Sequence, residues 1–209
     1  MNKKLSTFVS ILYFGAIWGI LEASVGYVLH LLPVLIAGTI MFPIGAVILF
    51  RAHQVTQSKK ALIGVGAVAA AIKAINLFMP LPTIWKAINP MLSIVFESLL
   101  VLAVIGLLAK DNHVAKVAAL PIASVGWRVG FLFALYVESW FTHTMSSQIT
   151  SLSAMASFAL YSGLISGLMA TALFYIVDFL GKRVKGTFAK KPIISFGLFA
   201  IAIVLTVLL

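Results

Sequence analysis

The chain has 209 residues, 62% of them hydrophobic, with a mean hydropathy of +1.14 and a formal charge of +10. Soluble domains run at about 45–50% apolar residues, and a chain of this size could not hide so much apolar surface from water, so a soluble globular fold is excluded. Cysteine is absent, which excludes disulfides, thiolate metal sites and cysteine nucleophiles.

Seven hydrophobic helices are predicted, at 6–30, 33–51, 60–79, 85–109, 115–140, 152–181 and 192–209. Most approach or exceed the roughly 20 residues that span a bilayer core. The chain begins "MNKKLSTFVSILYFG", a basic segment running into an apolar one. No small-x-small cleavage site follows and the apolar stretch continues to about residue 32, so helix 1 is expected to stay in place as an uncleaved span. Pro33 opens helix 2, Pro80 and Pro82 separate helices 3 and 4, and Pro192 opens helix 7. Pro43, Pro90 and Pro121 fall within or near first turns, as local kinks that neighbouring helices accommodate. The fold class that follows is an all-α polytopic membrane bundle. It has a six-helix unit over 1–190 and an additional helix over 191–209.

Twelve of the fifteen Lys and Arg residues flank these helices on one side if the helices alternate in direction: Lys3 and Lys4, then Arg51, Lys59 and Lys60, then Lys110 and Lys116, then Lys182, Arg183, Lys185, Lys190 and Lys191. The connections near 31–32, 80–84 and 141–151 carry none. The positive-inside rule then places the N-terminus in the cytoplasm and the C-terminus outside. Topology accounts for the net charge, and no nucleic-acid partner is needed.

The remaining charges are the informative ones. Helix 1 contains "WGILEASVGYVLH", which spaces Trp18, Glu22, Gly26 and His30 by fours. Helix 3 holds Lys73 and Asn76. Helix 4 holds Lys86, Asn89, Ser93 and Glu97 at spacings of three and four. Helix 5 holds Arg128 and, at its outer end, Glu138. Residues three and four apart share a helix face, and a charge at mid-bilayer costs about 2.5–3.5 kcal/mol, so these stripes should face protein or water. Two readings are open. Three acids (Glu22, Glu97, Glu138) and three bases (Lys73, Lys86, Arg128) could lock the helices together as ion pairs. Alternatively, they line an outward pocket for a small polar or ionised solute, with Trp18, Trp85, Trp127 or Trp140 as apolar walls. Trp85 and Trp140 also suit the interfacial aromatic belt. Asp178 reads as an end-of-helix pair with Lys182.

Small residues recur on helix 1 (Gly15, Gly19, Ala23) and on helix 6 (Ser162, Gly163, Ser166, Gly167, Ala170, Thr171), faces that permit close helix contact inside the chain or with another subunit. Histidines 30, 53, 113 and 143 fall in no HxxxH or HExxH pattern, so no resident metal or haem is expected. Neither a Walker A sequence nor a Gly-x-Ser-x-Gly elbow is present.

With six helices, basic cytoplasmic loops, an outward polar stripe and Gly15-xxx-Gly19-xxx-Ala23 on helix 1, residues 1–190 resemble the substrate-binding S components of energy-coupling factor transporters. The resemblance implies capture of a vitamin-like or metal-related solute. It also implies an Ala-xxx-Ala-like face, here Gly15, Gly19 and Ala23, meeting a transmembrane coupling subunit. ATP would be consumed by two separate ATPases, with no cofactor in this chain, and the setting would be a bacterial or archaeal cell membrane. The other function classes are a membrane enzyme or haem- or metal-binding protein at the outer leaflet, using Glu22, Glu97 and His30, and a structural subunit of a membrane complex. The topology is checked by cysteine labelling of this cysteine-free chain. Ser146→Cys is expected to react with an impermeant thiol reagent added outside intact cells, and labelling only from the cytoplasmic side would reverse the orientation.

Overall fold

The computed structural model describes residues 2–30, 34–181 and 187–209. Among these the secondary structure is helical, in seven helices. Helix α1 comprises Lys3–Leu21, a π-helical turn at Glu22–Gly26 and a last turn at Tyr27–His30. Helix α2 is Val34–Thr56, and α3 is Lys60–Ala74, tightening into a 3-10 turn at Ile75–Phe78. Helix α4 is Trp85–Leu108 and α5 is His113–Thr142. Helix α6 runs through Leu152–Ala156, a second π turn at Ser157–Tyr161 and Ser162–Gly181. Helix α7 is Pro192–Leu208. Helices α1 to α6 are long and apolar enough to cross a membrane, as predicted. At 17 residues, α7 would reach about 25 Å at 1.5 Å per residue.

Local chemistry explains most boundaries. Asn2 caps α1 by accepting from the Lys4 amide, and Asn112 caps α5 by accepting from the Ala115 amide. Pro192 sits in the first turn of α7, where its missing N–H costs nothing. Helix α2 runs five residues past its predicted end at 51, so Arg51 lies within the helix. The extra turn is held by Arg51 Nη1 donating to Gln54 Oε1 (2.6 Å), while Gln54 Nε2 donates to Asp178 Oδ1 of α6 (3.1 Å). Gln57, with φ of 53°, then ends the helix. Asp178 therefore has a partner across the bundle. The expected pairing with Lys182 lies outside the described residues. Pro43 falls in the third turn of α2, deeper than expected, and neighbouring helices enclose that turn.

Around the bundle the order is α1, α3, α4, α5, α6, α2 and back to α1. Helix α2 also touches α3 and α4, which places it innermost. Helix α7 packs along α1, outside the ring, and Ser10 Oγ of α1 donates to the Ala189 carbonyl just before it (3.1 Å). One apolar core containing Trp18, Phe42, Leu49, Ile94, Trp127 and Phe158 runs through the ring. Large apolar side chains such as Phe133, Leu168, Phe179 and Val204 point outward, the surface a lipid-embedded bundle presents.

The small residues are used within the chain. A β-carbon on Gly15 would lie 2.6 Å from Val68 of α3, and one on Gly19 would lie 2.6 Å from Ile72. On α6, a β-carbon at Gly167 would run into the Pro121 backbone of α5. Ser166 Oγ donates to the Thr39 carbonyl of α2 (2.9 Å). The face of α1 expected to meet a coupling subunit is thus filled by α3 at Gly15 and Gly19, and Ala23 is buried as well. Without a water-driven force between helices in lipid, close van der Waals contact at small residues is what holds them together. Gly19→Leu is accordingly expected to lower stability by roughly 1–3 kcal/mol, the usual range for overpacking. Thermal unfolding in detergent checks this, and adding Ile72→Ala should regain part of the loss.

Candidate functional site

Four ionisable side chains from four different helices are buried inside the ring. Glu22 of α1 is 7% exposed, Lys73 of α3 is 8%, Glu97 of α4 is 3% and Arg128 of α5 is 1%. Each stands on a helix that could cross a membrane. Their charges act on one another in sequence: Lys73 on Glu22, Glu22 on Glu97, and Arg128 on Glu97. Among the described residues, none of the four has an oppositely charged group within ion-pair contact. The reading in which they lock the helices as contact ion pairs therefore gives way to four charges held apart, running base, acid, acid, base, with the two carboxylates as inner neighbours.

Three of the four are placed by contacts with named neighbours. Trp18, fully buried, donates from Nε1 to Glu22 Oε1 (3.3 Å), one turn away on the same helix as the four-residue spacing predicts. Glu22 opens the π turn of α1. A β-carbon on Gly26 would sit 3.1 Å from Glu22 Oε2, so the carboxylate packs closely over residue 26 and a side chain there would make it shift slightly. Gly45 of α2 serves Glu97 similarly. A β-carbon there would lie 2.6 Å from the Trp18 ring and 3.2 Å from Glu97 Oε2, so the indole and the second carboxylate meet the α2 backbone at one point.

Arg128 is the most elaborately held of the four. Its Nη1 donates to the Ser124 carbonyl (3.0 Å) and the Ser124 hydroxyl (2.6 Å), and Nη2 donates to the Gly38 carbonyl of α2 (3.1 Å). The guanidinium carbon lies 4.5 Å from the Trp127 ring centre and 5.8 Å from that of Phe158, within cation–π range. Phe158 belongs to the second π turn, so both π turns among the described residues border this cluster. Such turns are rare and frequent at functional sites. Glu97 Oε2, Arg128 Nε and Trp127 Nε1 are buried atoms without a hydrogen-bond partner in the protein. Buried polar atoms are usually satisfied, so three such atoms beside one charge string mark this region out.

The other predicted residues separate from the cluster. Asn76 lies in the 3-10 turn just beyond Lys73, half-buried, with its Oδ1 also lacking a partner. Asn89 Nδ2 donates to Glu138 Oε2 (2.8 Å), a clasp between α4 and α5 nearer the helix ends. Lys86 is exposed. Ser93 turns its hydroxyl to its own helix, at the Asn89 carbonyl. Of the predicted stripe on α4, only Glu97 reaches the buried centre. The His30 side chain lies outside the described residues, and His143 is exposed. Trp140 is exposed and Trp85 lies tilted at 35° to the Phe141 ring, which leaves Trp18 and Trp127 as the buried tryptophans. Among the described residues no three His, Asp or Glu side chains gather as a metal site would require.

Sequence reasoning passed over Ser124, Gly38, Gly45 and Phe158. Ser124 could have been found, because it stands four residues before Arg128 on the same helix. The others come from α2 and α6, and nothing in their local sequence marks them. The chain matches no known family model, no curated protein and no solved structure.

Removing the guanidinium should expose how strongly this arrangement depends on charge balance. Arg128→Met is expected to cost about 3–5 kcal/mol, because it strands a buried carboxylate. Arg128→Lys should recover only part, since an ammonium lacks the planar fork that reaches Ser124 and Gly38 together. Combining Arg128→Met with Glu97→Gln should recover part as well. Unfolding temperatures of the three variants in one detergent decide the matter.

Proposed function

We propose that this chain is the solute-binding subunit of a membrane uptake system of the energy-coupling-factor type. It captures a small polar molecule at the cluster of Trp18, Glu22, Lys73, Glu97 and Arg128. One observation carries the reading: four buried charges on membrane-length helices stand apart, with Glu97 Oε2 and Arg128 Nε unsatisfied by the protein. A set of charges that only locked helices together would be expected to close into contact pairs, because breaking or separating a buried pair is costly. Charges inside a bilayer are functional by default. Approach from the lysine-poor side agrees with the distribution of basic residues, and the setting proposed is a bacterial or archaeal cell membrane.

Energy must come from other chains in this reading, since the sequence holds no Walker A motif. A transmembrane coupling subunit and two ATPases are the partners proposed. The Gly15 and Gly19 face takes no part in that docking, because α3 occupies it. The coupling subunit must meet a different surface.

Native mass spectrometry of the chain, purified in mild detergent, tests the solute site. The wild-type chain is expected to retain a small molecule of discrete mass, and Glu97→Gln to release it. Loss of one charge-assisted hydrogen bond is worth about 1.5–3 kcal/mol, or about 10- to 150-fold in affinity. A wild-type chain that carries nothing, together with Glu97→Gln that changes stability alone, would leave the cluster a purely structural element.

A further inference from the structure

The cluster also constrains what kind of molecule it could take, and the constraint rests on the solute-site reading above. Two acids, Glu22 and Glu97, stand with two bases, Lys73 and Arg128, so the formal charge of the four sums to zero. Proton transfer within the set leaves that sum unchanged. The surroundings are apolar: Phe42, Ile94, Phe131 and Phe158 belong to the same core. A solute of net charge would bring an uncompensated ion into this interior, which is expensive. A solute of zero net charge would not.

The unsatisfied atoms say more. Arg128 uses Nη1 on Ser124 and one N–H of Nη2 on Gly38, while its Nε donor is buried without a protein acceptor. Trp127 Nε1, on the ring that stacks beside the guanidinium, is a second free donor. Glu97 Oε2 is a buried acceptor without a hydrogen-bond partner in the protein. One carbonyl oxygen has two lone pairs and can accept from both donors. A neighbouring N–H on the same molecule would then face Glu97. Flat rings at Trp127 and Phe158 suit a flat partner.

We infer that the solute carries no net charge and presents an adjacent N–H and C=O, the edge of a cyclic amide or cyclic urea, with the N–H toward Glu97 and the C=O toward Arg128 and Trp127.

The four tryptophans make the test direct. The chain is labelled with 5-fluorotryptophan, placed in lipid nanodiscs and followed by fluorine NMR while 2-imidazolidinone, a small neutral cyclic urea, is titrated in. Acetate and methylammonium are titrated separately as anionic and cationic probes. Signals from Trp18 and Trp127 are expected to shift with 2-imidazolidinone at about ten-fold lower concentration than with either ion, a difference of about 1.4 kcal/mol. Trp85 and Trp140, away from the cluster, should stay still and report that the fold is intact. Glu97→Gln should weaken the response about ten-fold with Trp85 and Trp140 unmoved. The inference is overturned if either ion matches the cyclic urea, if Glu97→Gln responds like the wild type, or if none of the probes moves Trp18 and Trp127. A charged molecule retained in native mass spectrometry would also overturn it while leaving the solute site standing.

Discussion

Burying a guanidinium in a helix bundle is the constraint around which the centre of this molecule is arranged. Arg128 is 1% exposed, and a buried cation is tolerable only if its donors find acceptors. It finds them in Ser124 on its own helix and in the Gly38 carbonyl on α2, while aromatic faces from α5 and α6 close over it. Three helices are thereby referred to one side chain. The acceptors are neutral, so the positive charge remains to offset Glu97, as Lys73 of α3 offsets Glu22.

Charges can stand apart in this way because the rest of the bundle is packed closely enough to hold them there. In lipid there is no hydrophobic force to press helices together, and small residues supply close approach instead. Gly15 and Gly19 bring α1 against α3, and Gly163 and Gly167 bring α6 against α5. Those contacts hold the helices that carry the cluster: Glu22 and Lys73 stand on the first pair, and Phe158 is carried to Arg128 by the second. Gly45 completes the set by letting the α2 backbone reach Trp18 and Glu97. Packing and chemistry are linked at Gly45, where a side chain would meet both Trp18 and Glu97, while one at Gly15, Gly19, Gly163 or Gly167 would push apart the helices that carry the cluster.

The two π turns belong to the same logic. A π turn closes its hydrogen bonds over five residues, so the face that follows is rotated relative to the face before it. In α1 the turn starts at Glu22 and ends at Gly26. Trp18 and Glu22 therefore share a regular helical face, while a stripe counted in fours does not run straight on to residue 30. In α6 the turn brings Phe158 into the core among its exposed neighbours Leu160 and Tyr161. Both irregularities lie where the polar cluster needs a side chain aimed inward.

Composition and spacing were sufficient for the class of fold. Long apolar runs broken by Pro33, Pro80, Pro82 and Pro192 can only be membrane-length helices, because backbone polar groups in lipid must be satisfied within each segment. The same reasoning picked out Glu22, Lys73, Glu97 and Arg128, since a charge in such a run has no cheap place except the interior. Spacing alone could not say how deep each residue of a stripe would sit, so Lys86, Asn89 and Glu97 looked alike on α4. Their surroundings separate them: Lys86 is left exposed, Asn89 meets Glu138, and Glu97 is enclosed beside Gly45 and Trp18. Helix periodicity is a local property of one segment, and it determined which residues share a face. The partners of that face come from segments far along the chain, so only the tertiary structure decided that Gly15 and Gly19 meet α3, that α7 lies along α1, and that four charges would gather without touching.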